Sequence, residues 1–119
     1  MQATSMPERR TRRSDDLMTA LHYQLAFARH QGEFDALVLA DSSGCVVAGA
    51  GAWATCELLA AYAPLLAHED ASGPPMTDVE IQKLLVDGGE VLLCARGGGS
   101  AQAAAMLRAA SGCRRILKS

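Results

Sequence analysis

Between Phe34 and Leu66 the chain reads FDALVLADSSGCVVAGAGAWATCELLAAYAPLL, an order of residues that leaves few folds open. Ala36-Leu37-Val38-Leu39 and Cys45-Val46-Val47-Ala48 are short apolar runs bounded by turn residues, which predicts two strands. Asp41-Ser42-Ser43-Gly44 joins them: Asp and Ser side chains bond their own backbone, and Gly44 supplies a positive φ. A connection this short cannot make a parallel crossover, so the strands pair antiparallel. Residues 49–54 then form a small-residue elbow, and a helix follows over about Thr55 to His68. Leu58, Leu59, Ala60, Ala61, Tyr62, Ala63, Leu65 and Leu66 make that helix apolar over most of its circumference, and Pro64 is expected to kink it or start a new turn. A helix of this kind must be covered on most sides. One face can meet the sheet; the other is covered either by the remaining helices or by a second copy of the chain, and the surplus of apolar surface favours the copy.

The rest of the chain supplies partners for this hairpin and helix. Ser14 reads as the N-cap of a first helix, with Asp15 and Asp16 in the first turn. Leu17, Leu21, Leu25 and Ala28 form one apolar stripe, and Gly32 ends the helix. After a polar loop over residues 69–78, Val79–Val86 and Glu90–Ala95 read as strands joined by Asp87-Gly88-Gly89, a strong hairpin signal. By period two, Val79, Ile81, Lys83 and Leu85 share one face, and the charges on both faces suit an edge or subunit-contacting strand. Gly97-Gly98-Gly99 breaks the fourth strand. Ser100 then caps a last helix whose apolar face runs through Ala103, Met106 or Leu107, Ala110, Cys113 or Arg114, and Leu117.

A chain of 119 residues makes one domain, predicted over residues 14–119 behind a disordered basic arm of residues 1–13. Four arginines against Glu8 give the arm +3, which leaves −5 for the remainder of a chain with net charge −2. That arm is either a solvated tail or an electrostatic contact for an acidic partner. The overall charge argues against nucleic acid as a partner. No apolar run is long enough to span a bilayer, and the N-terminal arginines have no apolar stretch behind them, so no membrane span, secretory signal or transit peptide is expected. Cys45, Cys56, Cys94 and Cys113 are far apart and lie in apolar segments, as buried reduced thiols of a cytoplasmic protein would.

Little in the chain could carry chemistry. Gly49-Ala50-Gly51-Ala52-Trp53-Ala54 has the GxGxxA form of a dinucleotide loop, but the strand before it is a hairpin arm and no parallel strand follows its helix. Close packing of an elbow is the better reading. Arg96-Gly97-Gly98-Gly99-Ser100 could hold an anion at a helix N-terminus, yet it lacks the Lys of a phosphate loop and reads better as a strand-to-helix turn. No GxSxG is present, and no histidine stands near a serine or cysteine in a recognisable pattern. No catalytic residue, metal ligand or cofactor is therefore expected. Trp53, the single tryptophan, belongs either to the core or to an interface.

With this order of elements, ALVLADSSGCVVAGAG, ELLAAYAPLL and VDGGEVLLCARGGG, followed by a closing helix, resemble the roadblock superfamily of dynein light chains and bacterial GTPase regulators. The resemblance covers about residues 14–118. It implies an α/β fold, a profilin-like αβα sandwich on an antiparallel sheet in the order α-β-β-α-β-β-(β)-α. Four strands can be read where the family usually has five. It also implies no enzymatic activity, a homodimer formed through the central helix and a neighbouring strand, and partnership with a small Ras-like GTPase. On that basis Trp53, Leu58, Leu59, Tyr62, Leu65 and Leu66 are the expected interface residues of the helix, and Val79, Ile81 and Lys83 those of the pairing strand. The rival reading is a small-molecule sensor of GAF, PAS or longin type, with a pocket between sheet and helix.

Overall fold

The computed structural model describes residues 5–67 and 78–118, and side chains from Asp15 onward. Most of the loop read over residues 69–78, and the first four residues of the basic arm, lie outside the described residues. Seven elements follow in the order α1 (Ser5–Gly32), β1 (Phe34–Asp41), β2 (Val46–Gly51), α2 (Trp53–Ala67), β3 (Val79–Val86), β4 (Gly89–Gly97) and α3 (Gln102–Lys118). The four strands form one antiparallel sheet in the order β2-β1-β4-β3. Two hairpins are thus joined side by side through β1 and β4, and α2 carries the chain from the β2 edge to the β3 edge.

Alternation along the strands divides the interior into two cores. On one face Leu37, Leu39, Leu84, Leu93 and Ala95 meet Leu21, Leu25 and Ala28 of α1 and Met106, Ala109, Ala110 and Cys113 of α3. On the other, Ala36, Val38, Ala40, Leu92 and Cys94 meet Cys56, Leu59, Ala60, Ala63 and Ala67 of α2. β1 is buried from Ala36 through Ala40 because both of its faces are covered, which explains its unbroken apolar run. Helices α1 and α3 run antiparallel and close together. A Cβ on Gly112 would strike the Gln24 side chain, and Arg108 Nη1 donates to Gln31 Oε1 at 3.2 Å.

Several boundaries differ from the expectations, each for a physical reason. Helix α1 starts at Ser5, so Ser14 is an interior residue rather than its N-cap, and the backbone of the expected arm is helical from Ser5. Arg, Glu and Met favour helix, and Pro7 falls in the first turn, where its missing N–H costs nothing. Gly32 is the last helical residue of α1 rather than its left-handed stop. Glu33 takes that conformation (φ 54°), while a Cβ on Gly32 would strike the Phe34 ring. Helix α2 starts at Trp53 and continues unbroken through Pro64. The β1–β2 turn approaches the Ala60 carbonyl that Pro64 leaves without a helical donor: a Cβ on Gly44 would lie 3.4 Å from that oxygen. Ser100 lies in a turn before α3 and does not cap it. Residues 102–105 belong to α3, so the sheet has no fifth strand among the described residues. The face of α3 runs through Met106 and Cys113, not Leu107 or Arg114, and Ala103 is exposed.

Both turns obey the chemistry of their residues. Asp87 (φ 49°) and Gly88 (φ 81°) are both left-handed, the two-residue arrangement that matches strand twist. At the other hairpin, Asp41 Oδ1 accepts from Ser43 N (2.9 Å), Ser43 Oγ (2.6 Å) and Cys45 N (3.0 Å). Led by the Ser43 hydroxyl and the Cys45 amide, these bonds hold the Asp41 carboxyl below its usual range.

Two predictions follow from the glycine contacts and this turn. Gly51 (φ 110°) leaves no room for a Cβ, which would sit 2.7 Å from the Asp35 carbonyl oxygen, whereas Gly88 faces open space. In urea denaturation Gly51→Ala is expected to cost about 2–4 kcal/mol and Gly88→Ala about 1 kcal/mol. Asp41→Asn removes the charge but keeps an acceptor, at a cost of about 0.5–1 kcal/mol at pH 7. Because the native carboxyl is depressed, its contribution is present above the unfolded value near about 3.9 and fades as pH falls through the native one. The gap between Asp41→Asn and the parent should therefore close in acid.

Candidate functional site

The surface that the interior leaves unfinished lies on α2 and β3. Along α2, Cys56, Leu59, Ala60, Ala63 and Ala67 face the sheet at helical spacing, and small side chains among them let the helix approach closely. The opposite side carries Leu58 (44% exposed) and Leu65 (54%), with Ala54 and Ala61 also exposed and Tyr62 and Leu66 half-buried, while Trp53 (57%) continues the sheet-facing row at the helix's open first position. Glu57 is the single charged residue of this fifteen-residue helix. Large apolar side chains facing water at this density mark a contact surface.

β3 continues the surface at the sheet edge. It pairs with β4 alone among the described residues, so its outer N–H and C=O groups form a free edge. Val79 and Ile81 pack at the rim of the α2 core. Lys83 and Leu85 follow on the same side by alternation, and both are exposed, Leu85 by 70%. The other edge strand, β2, is shorter, and its register with β1 shifts between Leu39 and Ala40. A bulge of this kind discourages further pairing.

The expected interface residues lie on α2 and β3, and the burial of one of them is a correction. Leu59 is fully buried in the second core and belongs to the monomer's interior, so its side chain offers nothing to a partner. Trp53, the first residue of α2, stands at the exposed end of the elbow. Leu85 was absent from the expected set, although its place in the period-two row of β3 could have found it. The exposed pair Tyr23 and Phe27 on α1 (76% and 53%) was missed altogether. Two aromatics four apart on an otherwise polar helix face were the available signal.

The two glycine-rich segments have structural work. A Cβ on Gly49 would press on Cys56 Sγ at 3.0 Å, so this residue lets α2 sit against β2. At the other segment Gly97 N donates to Asp78 O (2.9 Å) and Gly99 N to Gly32 O (2.9 Å), while Arg96 Nε lies 3.6 Å from Asp78 Oδ2. Those donors and that cation are engaged within the chain. The space between α2 and the sheet is filled by the Ala, Val, Leu and Cys side chains of the second core. An open hollow of about 600 Å³ lies elsewhere, beside Arg29, His30, Gln31, Glu33 and Phe34. Among the described residues no three His, Cys, Asp or Glu side chains gather as a metal site, and no helix is long and apolar enough to cross a membrane.

No protein-family model matches the chain, and no curated protein matches it in sequence. Its fold is similar to that of Myxococcus xanthus MglB, with a TM-score of 0.57 and 13% identity over 83% of this chain and 88% of that one. The fold is a profilin-like αβα sandwich, here with three helices and four antiparallel strands.

The thiols report on how tightly α2 is seated. Burial pushes Cys94 up to about 12 and Cys113 to about 11. Burial likewise raises Cys56, whose Sγ donates to the Ala50 carbonyl (3.5 Å), with the Arg29 charge as a smaller opposing effect. Cys45 is exposed. With Ellman's reagent, Cys45 should react at once and the other three at least on the order of 100-fold more slowly. Equally fast reaction of Cys56 in the native protein would mean that α2 is not seated on the sheet as described.

Proposed function

We propose that this chain is a non-enzymatic regulatory or scaffolding protein that acts as a homodimer and partners a small Ras-like GTPase. The observation that carries the dimer is the exposed apolar side of α2 (Leu58, Leu65) together with the free edge of β3 (Lys83, Leu85), on elements that touch each other. A second copy is self-complementary to such a surface: its α2 covers the apolar row, and its β3 supplies the missing donors and acceptors. The half-buried Tyr62, Leu66, Val79 and Ile81 would complete the contact. A non-catalytic role and a GTPase partner rest on the roadblock resemblance of the sequence, which the fold likeness to MglB supports. A cytoplasmic location fits the free cysteines, three of them buried.

Sedimentation equilibrium at tens of micromolar should return twice the 12.5 kDa of one chain. Leu58→Glu with Leu65→Glu, at exposed positions, should return one chain mass with an unchanged far-UV spectrum. A parent protein that sediments as a monomer overturns the dimer. For the partner, a Ras-like GTPase encoded beside the gene should co-elute with the dimer in one nucleotide state. Failure in both the GTP and GDP states removes the GTPase and leaves a scaffold.

A further inference from the structure

The charges of the chain are divided unevenly over the fold. Arg9, Arg10, Arg12 and Arg13 lie in the first turns of α1, and Arg108, Arg114, Arg115 and Lys118 lie along α3. Against these eight stand Glu8, Asp15 and Asp16, a local balance of +5; Arg29, Lys83 and Arg96 against ten Asp and Glu leave −7 for the rest. The antiparallel packing of the two helices brings Arg114, Arg115 and Lys118 toward the basic end of α1, whereas Arg108 sits beside Gln31 near its other end. Gln24 lies beside Gly112, so the last turn of α3 comes level with about residue 18 of α1, and Arg13 follows about 8 Å further along the axis. At 28 residues α1 is about 42 Å long, against about 26 Å for the eight residues of β1, so its basic end projects past the sheet.

The outer side of this helix layer is also apolar. Tyr23 and Phe27 stand one turn apart on α1, 76% and 53% exposed, and Leu107 on α3 is 63% exposed. None of the three belongs to either core. They lie on the side of the sheet opposite α2, so the proposed dimer surface does not account for them.

We propose that the outer side of the α1/α3 layer is a peripheral binding face for an anionic phospholipid surface. A cluster of about four to eight basic residues beside exposed aromatics is what such a surface recognises. Guanidinium groups meet the headgroup phosphates, while Tyr23, Phe27 and Leu107 enter the boundary between headgroups and acyl chains. An acidic protein surface would satisfy the arginines equally well, but not three large apolar side chains set beside them. The −7 on the remainder is repelled by the same anionic surface, which orients the molecule with α1 and α3 inward and α2 and β3 outward. This face does not depend on the dimer, and its test is separate.

The full chain is sedimented with vesicles of phosphatidylcholine alone and of phosphatidylcholine with phosphatidylglycerol. Binding to the anionic vesicles only, weakening as salt rises from about 0.1 to 0.5 M, is the expected result. Replacing Arg9, Arg10, Arg12 and Arg13 by Gln should lower the partition coefficient on the order of 100-fold. Tyr23→Ser with Phe27→Ser should lower it about 10-fold, with the far-UV spectrum unchanged. No binding to the anionic vesicles overturns the proposal, as does binding that neither set of substitutions changes. Retention on immobilised polyglutamate without vesicle binding also overturns it and assigns the face to an acidic protein.

Discussion

The structure depends on β1 being paired on both sides and covered on both faces. Its backbone bonds to β2 and β4, Leu37 and Leu39 root the α1/α3 core, and Ala36, Val38 and Ala40 form the floor under α2. The difference in size between these two sets fixes the two layers. Leucines on one side fill the wide space below a pair of helices. Alanines on the other let one helix lie close, so that a single helix suffices to cover that face. Both surfaces proposed for this molecule follow from that asymmetry. One face of the sheet is roofed by two helices whose outer side is cationic and aromatic. The other is roofed by one helix with apolar side chains left over.

The elements most legible in the sequence are those whose signals are local. Both hairpins announce themselves through Asp41–Gly44 and Asp87-Gly88-Gly89, because turn chemistry needs only neighbouring residues. The close packing at the elbow was legible for the same reason, although Gly49 and Gly51 belong to the end of β2 rather than to a connection after it: glycines there leave space for the helix and the neighbouring strand. The expected order of elements and the roadblock-type sandwich agree with the observed topology and with the fold shared with MglB.

What was not legible depends on phase and on long-range contact. A helix apolar all round has no periodic signal to say which leucine faces the sheet, so Leu59 could not be told from Leu58. The choice is made by Cys56, Ala60 and Ala63, whose small side chains fit the alanine floor of β1. The stop of α1 was misassigned to the conformation of Gly32 because its actual demand is steric, from the Phe34 ring. Neither constraint can be seen without the partner element in place. The same holds for the candidate site: the apolar surplus of the helix and the edge character of β3 were both visible, but the burial of Leu59 and the exposure of Leu85 appear only once the elements are packed.

The seam between β1 and β4 has a further consequence, for the route by which the chain folds. Each hairpin closes over a few residues, but this seam joins positions 50 residues apart at Asp41 and Val91 and 63 apart at Phe34 and Gly97. Closing so long a loop loses chain entropy before any of the contacts that compensate for it exist. The two hairpins and three helices can therefore form early and locally, while neither core is complete until β1 meets β4. Until that event the apolar floor beneath α2 has no second half, and the free flanks of both inner strands stand open to the wrong partner. The speed with which this seam closes sets how long the nascent protein is exposed to aggregation.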